Sequence, residues 1–180
     1  MSAGTIILQV LLKAKLAKGS IHEKIRDVTG SLVETDAEGE FTYEQTNKVI
    51  GYLNSRNLNG GNQWRLPTIA ELAALRQCAN GWDKMGEKIE IPNGNSTISV
   101  PLKCAEAQNS IFNVFNIVAP VPVGESGGLG VWTSTLAGKD EYGTSKIWTV
   151  SSIFGQIGIV DGKNSVDDGV YQNIFLVRDK

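Results

Sequence analysis

The nine-residue run Trp64-Arg65-Leu66-Pro67-Thr68-Ile69-Ala70-Glu71-Leu72 constrains the fold more than any other part of this chain. Pro67-Thr68 marks the start of a helix. The Thr68 side chain is placed to accept from that helix's first backbone donors, and Glu71 stands three residues on, in the capping-box position. Leu66 seats the approach in a core. Such a device organises a fold and performs no chemistry by itself.

On either side, apolar spacing predicts the other elements. Ile7, Leu8, Leu11, Leu12 and Leu16 have helical spacing, which predicts a helix within residues 5–27, broken at Gly19-Ser20 and resumed at Ile21 and Ile25. Val28 to Val33 reads as a strand. Thr42 is placed to cap a helix from Tyr43 to Asn54 with Val49, Ile50 and Leu53 on its buried side. A second helix is expected from Thr68 to about Cys78. Lys88-Ile89-Glu90-Ile91 and Thr97-Ile98-Ser99-Val100, joined through Pro92 to Ser96, read as a hairpin. Val131 to Thr135, Lys146 to Ser151, Gln156 to Val160 and Ile174 to Arg178 read as an antiparallel run. The 20 glycines fit such a turn-rich architecture. The layout is α+β, two helices against a twisted antiparallel sheet with long loops.

The Trp-Arg-Leu-Pro-Thr block resembles that of the bacterial C-type-lectin-like domains at the C-terminus of Legionella collagen-like adhesins. Further blocks follow in the family's order: Ile111-Phe112-Asn113-Val114-Phe115, Val131-Trp132-Thr133-Ser134-Thr135, Ile147-Trp148-Thr149-Val150, Gly155 and Leu176-Val177-Arg178. Upstream, Asp27 to Glu34 and Tyr43-Glu44-Gln45-Thr46 resemble the family's opening strand and first helix. The resemblance implies a C-type-lectin-like domain over residues 28–180. Residues 1–27 then form a helical connector or an oligomerisation segment. It also implies a recognition protein of a bacterial or phage surface, adhesin-like and extracellular, at the cell surface or on a virion. Such a domain binds a host glycan or a protein receptor through long loops. The alternative is a structural subunit of a pilus, phage tail or similar assembly, including a receptor-binding tropism protein, whose N-terminal helix builds a homotrimer or larger particle. The formylglycine-generating enzymes share a related fold and an Arg-Leu-Pro-Thr block. They need a late reactive cysteine pair, and here both cysteines precede Ala105, so that likeness extends to scaffold alone.

Composition narrows the functions. At 180 residues, 41% hydrophobic and 20% charged, the chain suits a globular domain with one sizeable core. A formal net charge of -2 gives no general attraction to nucleic acid, or to the sulfated polysaccharides that collagen-like adhesins bind through basic surface. Lys13, Lys15 and Lys18 are the one obvious basic cluster. The run Thr5 to Leu12 is too short to span a bilayer, so no integral membrane segment is expected. Those lysines follow the apolar run instead of preceding it, which does not fit a signal peptide.

No enzyme is expected. The single histidine, His22, lies outside the region of resemblance, so neither a nucleophile–base pair nor a histidine metal cluster can be assembled locally. Cofactor expectations reduce to calcium: Asp161, Asn164, Asp167 and Asp168 share a glycine-bounded loop that is either an oxygen-ligand site or a solvated turn. Cys78 and Cys104 form either one disulfide or two buried thiols. Trp64, Trp132 and Trp148 fall on positions expected in the core. Trp82, beside Asp83 and Lys84 and near Asn80, is the surface candidate for stacking on a sugar face. Asp140, Tyr142, Tyr171, Gln172 and Asn173, with Glu141, would extend that ligand-binding surface. Asn95-Ser96-Thr97 fits a glycosylation sequon, and a hairpin turn accounts for the same residues.

Overall fold

The computed structural model describes residues 6–9, 42–57, 63–76, 78, 81–105, 130–151, 155–162 and 174–178. The chain divides into two compact units, residues 1–66 with 162–180 and residues 67–161.

In the first unit, β1 (Ile6–Gln9) pairs antiparallel with β7 (Phe175–Arg178) in a register that sets Ile6 opposite Arg178. The helix expected over this part of residues 5–27 is therefore a strand at Ile6–Gln9. Isoleucine-rich runs suit a pleated ladder as well as a helix face, and here a partner strand decides between them. The rest of 1–27, including His22 and the three lysines, lies outside the described residues, as do the boundary at residue 27 and the strand expected at 28–33. Arg65 bridges Val177 through paired backbone bonds of 2.9 Å. Phe175, Leu176 and Val177 are buried.

Helix α1 (Tyr43–Ser55) begins at Thr42 with a complete capping box. The Thr42 hydroxyl accepts from the Gln45 N–H at 3.2 Å, and the Gln45 side-chain oxygen accepts from the Thr42 N–H at 2.8 Å. Gln45, Thr46, Val49 and Leu53 form its buried stripe, while Ile50 is only half-buried. Asn57, at φ +52, ends the helix in the left-handed conformation that asparagine tolerates. Asn54 donates to the Trp64 carbonyl and accepts from its N–H, at 2.9 and 2.8 Å. That side chain fixes where Trp64 enters the core.

The second unit opens with Pro67 and α2 (Ile69–Leu75), capped as the sequence predicts. The Thr68 hydroxyl accepts from the Glu71 N–H at 3.2 Å, and Glu71 Oε2 accepts from the Thr68 N–H at 2.7 Å. The helix stops at Leu75, short of Cys78. Its first N–H, at Ile69, donates to the Thr135 hydroxyl, and the Ser134 N–H donates to the Pro67 carbonyl, both at 2.9 Å. The hairpin β2 (Lys88–Asn93) and β3 (Ser96–Pro101) turns through Gly94-Asn95, with Gly94 at φ +62. Its one fully buried side chain is Ile91, on the strand that lies against α2.

The strands β4 (Gly130–Lys139), β5 (Ser145–Ser151) and β6 (Ile157–Asp161) form an antiparallel sheet with β5 central. Val131, Trp132, Ile147, Trp148, Val150 and Ile157 fill its core. Thr133 donates to the Trp148 carbonyl at 2.7 Å and accepts from the Thr135 N–H at 3.1 Å, where the β4–β5 register shifts between Trp132 and Leu136. The fold is α+β, with two short helices and antiparallel strands. Among the described residues the strands make three separate pairings in place of one sheet, and β7 pairs with β1 instead of joining β4–β6.

Candidate functional site

Among the residues singled out for surface chemistry, Trp82 occupies the most constructed setting. Beyond α2, Arg76 turns extended and its guanidinium is buried, with 5% of the residue exposed. Nε donates to the Ala73 carbonyl at 3.3 Å, and Nη1 donates to the carbonyls of Gly155 at 2.9 Å and Leu102 at 3.4 Å. The Nε and Nη1 donors, held apart on one rigid plane, reach three separate chain segments in this way. Burial lowers the guanidinium pKa to about 10, so it remains a cation at neutral pH. Its carbon lies 4.7 Å from the centre of the Trp82 ring, a cation–π contact beneath the indole.

Two further ties hold the tryptophan. Cys78 and Cys104 form a disulfide with their Cα atoms 5.4 Å apart, which settles the alternative left open above, and the Trp82 backbone bridges Cys104. Gly81, at φ +81, donates to the Cys78 carbonyl and accepts from the Ala105 N–H. Trp82 is thus clamped along one side and still 36% exposed, whereas Trp64, Trp132 and Trp148 are core residues as expected.

The next residues separate into builders and presenters. Asp83 closes a turn: its side chain accepts from the Met85 N–H at 3.1 Å and its carbonyl from the Gly86 N–H at 3.1 Å. A Cβ on Gly86 would fall 2.7 Å from Asp83 Cγ, so the turn requires glycine there. Lys103 Nζ stands 4.0 Å from the Asp83 carboxylate. Lys84 is exposed, and Met85, which the sequence did not mark, is 97% exposed.

The β4–β5 turn repeats this division. Asp140 Oδ1 accepts from the N–H groups of Tyr142 at 2.9 Å and Thr144 at 2.8 Å, and Gly143 takes φ +81. Desolvation alone would raise the Asp140 pKa; the Thr144 and Tyr142 N–H bonds, with the nearby Lys146 charge, outweigh it and hold the carboxyl below its ordinary range. Asp140 therefore shapes the turn, and Tyr142, 85% exposed, is what the turn presents.

Asp161 pairs with Lys146, its register partner across β5–β6. The Lys146 pKa is raised by the Asp161 hydrogen bond, against desolvation and with the charges of Asp161 and Asp140 assisting. This expected calcium ligand is thus engaged by an ammonium group. Asn80, Asn164, Asp167, Asp168, Tyr171, Gln172 and Asn173 lie outside the described residues. Among the described residues, no three His, Cys, Asp or Glu side chains are grouped to hold a metal ion, and no helix is long and apolar enough to cross a membrane.

Chemically, this arrangement offers contact surface: an indole backed by a fixed cation, an exposed thioether, a phenol and a lysine. Arg76 was not legible as a participant, because its partners Ala73, Leu102 and Gly155 come from three segments. The sequence model of the Lcl C-terminal domain family matches residues 22–167, more than half of the chain. No curated protein and no solved structure matches it.

Proposed function

The chain belongs to the Lcl C-terminal domain family, and from that premise we propose that it is a non-enzymatic recognition domain of C-type-lectin-like fold. It is displayed at a cell surface or on a fibre or virion, and it binds a glycan or a protein receptor. The loop holding Trp82, Lys84 and Met85 and the turn presenting Tyr142 supply the contacts, while Asp83 and Asp140 set the loop shapes. Tyr171, Gln172 and Asn173 are further candidate ligand contacts, and Asp161, Asn164, Asp167 and Asp168 are candidate calcium ligands.

The observation that carries this reading is the clamped indole. An aromatic side chain held in place before binding loses little freedom on contact, and rigid aromatic anchors dominate recognition surfaces. The reading is also supported by the capped α2 and the β2–β3 and β4–β5 ladders, which set these loops on rigid elements.

A glycan array, run with and without a calcium chelator and with light scattering on the same sample, tests it. Selective binding that Trp82→Ala abolishes is expected. Binding lost with chelator would bring the Asp161 to Asp168 loop into the site. An array blank for a stable monomer moves the ligand to a protein receptor, and a blank array from a stable oligomer favours the structural-subunit alternative. Unchanged affinity in Trp82→Ala removes the indole from the site.

A further inference from the structure

The Trp82 loop is built around a bond that outside chemistry can open. The disulfide closes the stretch that carries Trp82, and the tryptophan sits beside one end of it and against a residue just before the other. Its backbone bridges Cys104, and its ring rests on Arg76, two residues before Cys78. Besides the Arg76 contact and the Cys104 bridge, residues 81–86 are tied to the chain around them by the backbone bonds from Gly81 N–H to the Cys78 carbonyl and from Ala105 N–H to the Gly81 carbonyl, and by the Lys103–Asp83 ion pair at 4.0 Å, contacts exchangeable with water. The β4–β5–β6 sheet depends on no cross-link, since its strands are laddered and its core is filled by Val131, Trp132, Ile147 and Val150.

We infer that the Cys78–Cys104 disulfide is a redox latch on the Trp82 surface: closed, it holds the indole in its binding position, and opened by thiols it releases residues 81–86 while the sheet stays folded. This rests on the reading of Trp82 as the contact surface. The reductant is a small monothiol. Its thiolate attacks the sulfur of Cys78, the more exposed partner; the S–S bond breaks, and the Cys104 sulfur leaves with the electron pair and takes a proton. A second thiolate then attacks the mixed disulfide, freeing the Cys78 thiol and releasing the small disulfide. Two thiols are oxidised to one disulfide as the protein's disulfide becomes two thiols. Cys104 is 1% exposed, so its thiolate departs into poorly solvated surroundings and opening is slower than for an exposed bond.

The test is amide hydrogen exchange and tryptophan fluorescence on the full chain, before and after treatment with reduced glutathione, with Trp82→Phe identifying the Trp82 emission. On reduction the Trp82 emission should move to the red. The amides of Gly81 and Ala105 should exchange at least about tenfold faster, with those of Ile147 and Val150 unchanged. The double variant C78S/C104S should show the reduced pattern without thiol. Loss of protection at Ile147 and Val150 together with the loop would make the disulfide a staple of the whole unit and overturn the latch. Unchanged exchange at Gly81 and Ala105 would overturn it too. Neither readout needs a ligand, so failure here leaves the recognition reading standing, whereas unchanged glycan affinity in Trp82→Ala removes the indole from the binding site and leaves the exchange and fluorescence results as measured.

Discussion

At the scale of single residues, Arg76 has the largest structural consequence per side chain. Its guanidinium serves carbonyls from α2, the exit of β3 and the approach to β6. Replacing it with methionine keeps the length and removes every donor. Arg76→Met should cost about 1–3 kcal/mol in urea denaturation, because the Gly155 carbonyl loses its donor while the Ala73 and Leu102 carbonyls keep the Arg76 and Ile157 N–H groups, and a buried carbonyl left without a partner costs about 1–3 kcal/mol; a loss well under 1 kcal/mol would contradict this account. Arg76→Lys should recover only part. Asp140 gives a residue-scale pH dependence. Its carboxyl is held below the ordinary value of 3.8, so its contribution is present above that value and is lost as pH falls through the lowered folded one. The Tyr142 and Thr144 amide signals should therefore shift together in an acid NMR titration. In Asp140→Asn, whose amide oxygen still accepts, that titration should vanish while the turn persists.

At the scale of elements, the helices are governed by their first turns. Thr68→Ala removes the acceptor for the Glu71 N–H and keeps the residue-68 N–H that Glu71 Oε2 accepts from; a cost of about 1 kcal/mol is expected by thermal or urea denaturation, with Thr68→Ser close to wild type. Both caps were legible because the signal is local: a Thr before an apolar stripe at Thr42, and at Thr68 a Glu three residues later as well, while the part of Gln45 in the first box came only with the structure. The hairpin and β4 to β6 were legible for a similar reason: alternation and glycine turns act over a few residues. What could not be read depends on distance along the chain. The run at Ile6–Gln9 suits a helix until Phe175–Arg178 is known to lie beside it. Asp83, Asp140 and Asp161 read as ligand-facing because acidic residues in loops usually meet solvent. Their actual partners are the Met85 and Tyr142 N–H groups and the Lys146 ammonium, which only the folded turn and strand register bring into place.

At the scale of the whole molecule, the first and last strands are one structural element made from opposite ends of the sequence. A chain begun at residue 28 would lack β1 and leave one edge of β7 without its partner, beside buried Phe175, Leu176 and Val177. Such a truncation should lose about 2–4 kcal/mol by denaturation, since re-exposing even one or two such side chains costs that much, and should self-associate through the open edge in light scattering. A truncated chain as stable and as monomeric as the full one would make β1 dispensable. The same pairing has a mechanical side. Because Ile6 faces Arg178 in an antiparallel ladder, chain leaving β1 toward residue 1 and chain leaving β7 toward residue 180 depart from the same end. Tension between those two ends acts across the ladder and peels its hydrogen bonds one after another, the zipper geometry that yields at low force. A pull entering at one end and leaving through a bound ligand bypasses that zipper, so the direction of loading decides whether this strand pair is the weak link.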